Sequence, residues 1–230
     1  MPLHTDRDYE AELQRLRDRL LWMGAEVEAN LATAIRAFAS RDADLARQMI
    51  AGDRAVNQAE LDIDELCIRI LARRQPVASD LRLIATALKI VTDLERMGDL
   101  AKNICHRVVE LTTEPTAAPA TGLAEAAETV HAMVKNALNA FAHADVQLAQ
   151  SVIDRDNAVD AWYAETLHGL LSEMARRPAE VEATMRVLSV AKYLERIADH
   201  ATNVAEMVFF LVKGQDVRHA YSLGKKGTEL

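Results

Sequence analysis

Acidic residues spaced four apart occur in this sequence where a helical protein would ordinarily carry leucine. Glu95 and Asp99 continue a stripe of apolar residues that includes Leu88 and Val91. Two like charges one helical turn apart repel each other, and a place on a core-facing stripe also removes part of their hydration. Such a pair predicts a compensating positive charge nearby, from a metal ion or from arginine.

The arrangement occurs twice along the chain. Glu195 and Asp199 repeat the first pair 100 residues later. A preceding helix in each half carries further oxygen donors on one face: Asp53, Asn57, Glu60 and Asp64 in the first half, and Asp156 with Asp160 in the second. If the two helices of each half are adjacent and antiparallel, up to four oxygen donors converge in each half.

Carboxylate and amide oxygens are the ligands that hard metal cations prefer. The sequence therefore predicts divalent or trivalent metal ions, with Fe, Zn, Mn and Mg as candidates.

An internal salt-bridge layer is the alternative without a metal. Arg96 and Arg196 follow the two glutamates directly in sequence. Neighbouring residues on a helix point in different directions, about 100° apart, which weakens this alternative without removing it.

Enzymatic alternatives have weaker support. Glu128 with His131 and Glu165 with His168 give the E-x-x-H spacing of di-iron bundles, but the first half of the chain has no such pair. The sequence has no nucleophile elbow, P-loop or glycine-rich phosphate cradle. A carboxylate-bridged metal enzyme stays the runner-up, a purely structural dimer scaffold is a third interpretation, and no catalytic residue is predicted.

The elements that position these acids are predicted to be six long helices. Apolar residues at three- and four-residue steps and breaks at Pro76 and Pro178 predict helices at about 6–39, 42–74, 79–111, 123–142, 145–176 and 179–213. Ser40 or Asp42 is expected to cap the second helix, and Ser79 or Asp80 the third. The arginine pairs before each proline break suit helix C-termini, where cations are favourable, better than a phosphate-binding patch.

An internal duplication organises the chain. "AFASRDADLA" from Ala37 matches "AFAHADVQLA" from Ala140, and "LERMGD" from Leu94 matches "LERIAD" from Leu194. A period near 100 residues indicates two copies of a three-helix unit. We therefore predict an all-α fold of two tandem three-helix bundles: residues 1–112, a linker at 113–122, residues 123–213, and a polar tail at 214–230.

Composition narrows the class of protein. The formal net charge is −8, which argues against binding nucleic acid through a basic surface. The sequence has no apolar run of membrane-spanning length and no secretory signal, and its two cysteines suit a reducing compartment. A cytoplasmic protein is expected.

Four separated motifs resemble the PhoU family: "RRQPVASDLR", "DLERMGDLAKNI", "YLERIADHATNV" and "FFLVKGQDVRH". The resemblance extends from the first helix to about residue 219 and implies two tandem three-helix bundles. Some members carry multinuclear metal clusters on E/D-x-x-x-D motifs. The resemblance implies the same role here for Asp53, Asn57, Glu95, Asp99, Asp156, Asp160, Glu195 and Asp199. Asn57 departs from a strict acid pair and puts the first site in doubt.

The resemblance also implies a function. Family members are non-catalytic regulators that repress the phosphate-starvation response and modulate phosphate uptake. They work between the ATPase subunit of the phosphate ABC transporter and a sensor histidine kinase, so such a protein would reach the inner membrane only through its partners. A homodimer is expected, and phosphate would be sensed indirectly.

Overall fold

The computed structural model describes residues 3–52, 54–112 and 121–214, with side chains from residue 7 onward. Within these ranges the chain forms α-helices, one 3-10 turn at Pro178–Glu180 and no strand. The helices are α1 (Leu3–Ser40), α2 (Ala43–Gly52), α3 (Arg54–Arg74), α4 (Ala78–Leu111), α5 (Leu123–His143), α6 (Val146–Arg176) and α7 (Val181–Lys213). Asp53, between α2 and α3, lies outside the described residues, and α2 and α3 together span the second predicted helix. The all-α prediction is confirmed.

The same turn begins the second helix of each half. Asp42 accepts hydrogen bonds from the backbone N–H groups at the start of α2 at 2.9 and 3.0 Å, and Asp145 does the same for α6. The residues before them, Arg41 and Ala144, both have a left-handed φ of 52°. An N-terminal aspartate satisfies N–H groups that have no partner within the helix. Of the two predicted caps, Asp42 is therefore the correct one.

The predicted cap of α4 is wrong. The N-cap is Val77, in an extended conformation and without a side-chain hydrogen bond to the helix. Asp80 instead accepts a hydrogen bond from the Tyr9 hydroxyl at 3.0 Å. The carboxylate that local sequence assigns to the helix start thus joins α4 to the beginning of α1, a contact across 71 residues of chain.

The helices pack as two three-helix bundles. The first contains α1, α2 with α3, and α4; the second contains α5, α6 and α7. The last helices of the two bundles, α4 and α7, pack against each other, and α1 packs on α5, where a Cβ atom on Gly24 would overlap Leu138. The buried apolar side chains of both bundles form one continuous core.

Side-chain hydrogen bonds between α4 and α7 connect the two bundles. Asp93 of α4 lies 2.8 Å from the Nδ1 atom of His200 and accepts a hydrogen bond from Asn203 at 3.1 Å. Arg186 of α7 donates to Glu110 of α4 at 3.0 Å. These bonds join α4 to α7. They therefore hold the acid pairs of the two helices, Glu95 with Asp99 and Glu195 with Asp199, in a defined arrangement.

The arginines before the proline breaks and His131 lie close to acidic side chains. Arg74 pairs with Glu12 at 2.8 Å, and Arg177 pairs with Glu173 at 3.3 Å. These ion pairs at helix ends support the helix-terminus interpretation of the arginine pairs. His131 lies 3.4 Å from Glu28 of α1, so it faces the other bundle.

The cysteines and the lengths of the apolar helix segments can also be compared with the structure. Both cysteines are free thiols buried in the core, and burial raises the pKa of Cys67 to about 12 and that of Cys105 to about 11. Across the described ranges, none of the helices combines the length and apolar character that crossing a lipid bilayer requires.

Candidate metal centre

The first acid cluster lies between α3 and α4. It consists of Glu60 and Asp64 on α3 and Glu95 and Asp99 on α4. The two helices come close together here because Gly98 lies between the two α4 acids, and a Cβ atom on it would be only 3.3 Å from Val56 Cγ1. The Glu95 side chain is 17% exposed, so it retains little contact with water.

Crowding changes the protonation of this cluster. Burial, followed by the negative charges of Asp99 and Glu60, raises the pKa of Glu95. A hydrogen bond between the Glu95 and Asp99 carboxyls, which requires a proton, raises it further. Burial and the charges of Asp64 and Asp99 likewise raise the pKa of Glu60. The first acid cluster is therefore suited to hold a proton or another cation.

One cation is already close to the first acid cluster. The Nε atom of Arg96 lies 3.5 Å from Glu95 Oε2, so the expectation that Arg96 points away from its neighbouring acid is wrong. Its long side chain curls back along the helix, which the direction of its Cα–Cβ bond did not indicate. Arg96 is 58% exposed, and an exposed ion pair of this kind is weak.

The structure describes three of the four residues predicted for the first half. Glu95 and Asp99 lie in one cluster, Asn57 is exposed on α3, and Asp53 lies outside the described residues. Glu60 was not among the predicted ligands. The signal for it was present in the sequence, because Asn57, Glu60 and Asp64 lie at steps of three and four on one helical face.

The second acid cluster lies between α6 and α7 and contains Asp156, Asp160, Glu195 and Asp199. One carboxylate oxygen from each of the three aspartates lies within 4.8 Å of the other two. Among the described residues, this is the group of three acids whose geometry could hold one metal ion. Its members come from two helices, as the repeated spacing predicted.

The carboxyl of Asp199 in the second acid cluster has a raised pKa. Its pKa rises from 3.8 to about 6. Loss of hydration is the largest cause, followed by the negative charges of Glu195, Asp156 and Asp160. Although part of the residue is exposed, its carboxyl group lies among three other acids. A bound cation would favour the charged form and lower this pKa.

Glu195 has a different neighbour from the three aspartates. The Lys192 Nζ atom lies 2.6 Å from Glu195 Oε2 and 4.8 Å from the centre of the Tyr163 ring. The two residues of this ion pair lie about one helical turn apart, at the i,i+3 spacing. Lys192 was not predicted as the partner of Glu195, because a lysine three residues from a glutamate is ordinary on a helix and does not by itself mark a site.

The donor set fits a hard metal ion. Three carboxylate oxygens from Asp156, Asp160 and Asp199 suit Mn²⁺, Mg²⁺ or iron, whereas zinc in structural sites favours sulfur and nitrogen ligands. Water molecules complete the coordination of such ions on carboxylate sites. Metal binding at these residues stays a prediction, which the raised pKa of Asp199 and the convergence of the three oxygens support.

Comparison with known proteins identifies the family. The family model described as the PhoU domain matches residues 20–108 and again residues 123–208. The phosphate-specific transport system accessory protein PhoU homolog of Pseudomonas putida is 42% identical over 219 residues, covering 94% of this chain and 85% of that protein. The accessory protein PhoU of Escherichia coli strain K12 is 37% identical over 216 residues, covering 94% of this chain and 90% of that protein.

Solved structures agree with the sequence relatives. The crystal structure of PhoU from Pseudomonas aeruginosa superposes with a TM-score of 0.88 at 41% identity, covering 90% of this chain and 100% of that one. The phosphate transport system regulatory protein PhoU from Streptococcus pneumoniae gives a TM-score of 0.84 at 28% identity, covering 91% of this chain and 99% of that one. Two tandem family repeats, on a fold shared over nine-tenths of the chain, show that this protein belongs to the PhoU family.

Proposed function

We propose that this protein is a regulatory accessory protein of phosphate-specific transport. The observation that carries the proposal is the full-length match: relatives with that function in their names align over 94% of the chain, through both repeats. Those relatives are named as accessory or regulatory proteins and not as enzymes. The protein is therefore classed as non-catalytic, and the metal-enzyme alternative has no support.

In the finer form of the proposal, the protein is a cytoplasmic adaptor that represses phosphate-starvation signalling. Its partners are the ATPase subunit of the phosphate ABC transporter and a sensor histidine kinase. An elongated helical surface suits this role because an adaptor needs faces for docking more than an enclosed pocket. Binding would then shift the population of a partner's signalling states.

The acid clusters give the adaptor a cation-dependent surface in this proposal. Each cluster joins the second helix of its repeat to the third, between α3 and α4 or between α6 and α7. A metal ion bound there would neutralise repulsion and fix the relative position of the two helices. The metal ion would also change the charge that the repeat presents to a partner. This effect would be the same whether the protein is a monomer or a homodimer.

A gene deletion tests the regulatory role most directly. Cells lacking the protein should express a phosphate-starvation reporter at high phosphate, and a plasmid copy of the wild-type gene should silence the reporter again. If the reporter stays silent in the deletion strain at high phosphate, the proposal is wrong.

Complementation with variants separates the metal site from the rest of the protein. A gene carrying Asp156→Asn, Asp160→Asn and Asp199→Asn should restore less repression than wild type at equal protein level. A gene carrying Asp154→Asn, an exposed acid on the same helix, should restore full repression. Full repression by the triple variant would leave the regulatory proposal standing and remove the metal site from it.

A further inference from the structure

Asp93 of the first repeat contacts α7 at the level of the second acid cluster. Its Oδ1 atom lies 2.8 Å from Nδ1 of His200 and accepts a hydrogen bond from Asn203 at 3.1 Å. A carboxylate accepts hydrogen bonds, so the Nδ1 atom of His200 is the donor in this pair. The side chains of Asp93 and His200 are only 15% and 17% exposed, and hydrogen bonds to a charged group are the strong ones in proteins.

Both partners of Asp93 on α7 are close neighbours of Asp199. His200 follows Asp199 directly, and Asn203 comes four residues later, about one helical turn along. Successive residues on a helix point about 100° apart, so His200 can bond to α4 while Asp199 points towards α6. The bonds to Asp93 therefore fix the rotation of α7 about its own axis, and this rotation sets the direction of the Asp199 carboxyl.

The direction of Asp199 decides whether the second acid cluster converges. Asp156 and Asp160 lie on α6, and Asp199 supplies the oxygen from α7 that lies within 4.8 Å of theirs. A carboxyl lies about 5 Å from the axis of its helix, so a rotation of about 20° would move it by about 2 Å. A binding group must be held within about 0.5 Å of its productive position. A small rotation of α7 would therefore remove one of the three ligands.

The first repeat has no equivalent of this contact. With the shift of 100 residues that aligns the last helices of the two repeats, Tyr193 corresponds to Asp93 and Leu100 to His200. A tyrosine and a leucine cannot form the carboxylate–imidazole bond next to Asp99. Within the part of the chain that the structure describes, three acids converge in the second repeat and not in the first. The repeat that receives the contact is thus the repeat whose acids converge.

We infer that Asp93 of the first repeat is a positioning residue for the metal site of the second repeat. Through His200 and Asn203 it holds α7 so that the Asp199 carboxyl faces the two aspartates of α6. The inference rests on the proposed metal site and adds to it, because the site then depends on both repeats. A change in the packing of one bundle on the other would change its affinity for a metal ion.

Manganese titrations of the full-length protein test the inference. Asp93→Leu removes both hydrogen bonds and should weaken Mn²⁺ binding about tenfold in isothermal titration calorimetry, the lower end of what loss of a supporting contact costs a metal site. Asp93→Asn keeps an oxygen that can accept both hydrogen bonds. Its affinity should stay within about threefold of wild type, since screening limits the effect of the lost charge alone. Equal weakening by both changes would show that only the charge of Asp93 matters, and would overturn the inference.

Glu110→Met is the matched control. Glu110 is also an acid of α4, and it also accepts a hydrogen bond from α7, donated by Arg186 at 3.0 Å. Arg186 lies 13 residues before Asp199, which is about 20 Å along the helix. The control variant should therefore leave the Mn²⁺ affinity unchanged. An equal loss in Glu110→Met and Asp93→Leu would mean that any weakening of the contact between the bundles affects the site, which contradicts a positioning role for Asp93.

A double-variant cycle shows whether the effect passes through Asp199. When Asp199→Asn is already present, Asp93→Leu should cause no further loss of Mn²⁺ affinity, because the carboxyl that Asp93 positions is gone. The electron paramagnetic resonance spectrum of Mn²⁺ bound to Asp93→Leu should match that of Asp199→Asn. A full additional loss of affinity, or a wild-type spectrum in Asp93→Leu, would contradict the inference.

The remaining outcomes separate this inference from the metal site itself. If wild type binds Mn²⁺ and the double variant Asp156→Asn with Asp160→Asn does not, the site exists. Asp93→Leu that binds as tightly as wild type then refutes only the positioning role. If wild type does not bind Mn²⁺, the site and the inference both fail.

A second variant keeps the test decisive if Asp93→Leu loses its helical circular dichroism. Asn203 is exposed, so Asn203→Ala removes one of the two hydrogen bonds without disturbing the core. It should weaken Mn²⁺ binding about threefold, which is half of the free energy of a tenfold loss. Unchanged affinity in Asn203→Ala, together with unchanged affinity in His200→Phe, would overturn the inference.

Discussion

The two acid clusters lie between equivalent helices of the duplicated units but differ in composition and chemistry. In the first repeat α3 adds Glu60 and Asp64, where the second repeat has Tyr163 and Leu167. Glu60 crowds Glu95 and Asp64 crowds Glu60, which favours a proton shared between Glu95 and Asp99. The second repeat replaces one negative charge with an aromatic ring, and this ring holds the Lys192 ammonium that pairs with Glu195.

Both repeats place an acid pair on the last helix of the bundle, Glu95 with Asp99 and Glu195 with Asp199, but different groups neutralise the charge. In the first repeat, protonation and the exposed Arg96 offset the crowded charge. In the second repeat Lys192 engages Glu195, and the three aspartates are left converging on one point. We therefore expect the second acid cluster to respond more strongly to metal ions, and the first to respond more strongly to removal of its own acids.

The largest expected effect is that a variant of the second acid cluster loses the stabilisation that a bound metal ion gives the protein. At a free concentration about 100 times its dissociation constant, Mn²⁺ raises the free energy of unfolding by about 2.7 kcal/mol. For a chain of this size, that corresponds to a rise in Tm of about 5–10 °C. The double variant Asp156→Asn with Asp160→Asn should lose most of this rise, as measured by differential scanning calorimetry.

Asp154→Asn is the matched control for that experiment. Asp154 lies on the same helix, is exposed, and accepts a hydrogen bond from Gln150 at 2.8 Å. It should keep the full Mn²⁺-dependent rise in Tm. An equal loss in the control and in the double variant would mean that the ion binds diffusely to the acidic surface.

Exchanging residues between the repeats gives the next largest effect. Glu60→Tyr with Asp64→Leu gives the first repeat the side chains of the second. Removal of two charges near Glu95 should raise the free energy of unfolding by about 0.5–1 kcal/mol at pH 7.5 in the presence of a chelator. The raised pKa of Glu95 destabilises the fold as the pH rises, and this loss should shrink in the variant. Urea unfolding between pH 5 and pH 8 measures both effects.

The reverse exchange sharpens the same comparison. Tyr163→Glu with Leu167→Asp should lower the free energy of unfolding in chelator, because it crowds the second acid cluster and removes the ring beneath Lys192. A stability gain from this reverse exchange would contradict the electrostatic account of both clusters.

A smaller effect is expected from removing the lysine that competes with a metal. Lys192→Gln takes away a positive charge beside Glu195, so Mn²⁺ should bind about three- to tenfold more tightly in isothermal titration calorimetry. Lys135→Gln, an exposed change on α5, should leave the affinity as it is. Weaker Mn²⁺ binding in Lys192→Gln would show that the lysine organises the site instead of opposing the ion.

The smallest effect concerns the pH dependence of the metal-free protein. The pKa of Asp199 is raised to about 6 in the fold from 3.8, so its contribution to stability is present below pH 3.8 and is lost as the pH rises through about 6. Asp199→Asn lacks this loss and should be more stable than wild type at pH 7.5 by about 0.2–0.5 kcal/mol. The advantage should disappear near pH 4. A series of Tm values from pH 4 to pH 8 in chelator measures it, and a variant less stable than wild type at pH 7.5 would refute the repulsion argument.

Much of the fold could be predicted from the sequence because its signals are local or repeated. Proline breaks, apolar periodicity and the duplicated "LER" motifs gave the all-α class and the order of helices. Asp42 was correctly predicted as a cap. Asp80 was not, since its partner Tyr9 lies 71 residues away, and a contact of that range leaves no local pattern.

The candidate site was predictable only in part for a similar reason. Spacing indicated that Asp156 and Asp160 would share a helical face, but the choice of cation partner depends on side-chain geometry. Lys192 reaches Glu195 at 2.6 Å, and Arg96 curls back to Glu95 at 3.5 Å. Flexible side chains of this length can pair with several neighbours, and packing decides between them.

We propose that Asp156, Asp160 and Asp199 of the second repeat form a metal site. Anomalous diffraction from crystals grown with Mn²⁺ tests it most directly. We predict a manganese peak within coordination distance of carboxylate oxygens of Asp156, Asp160 and Asp199, at about 2.0–2.4 Å. A map without that peak, with the three carboxylates paired instead to lysine or arginine side chains, would contradict the claim.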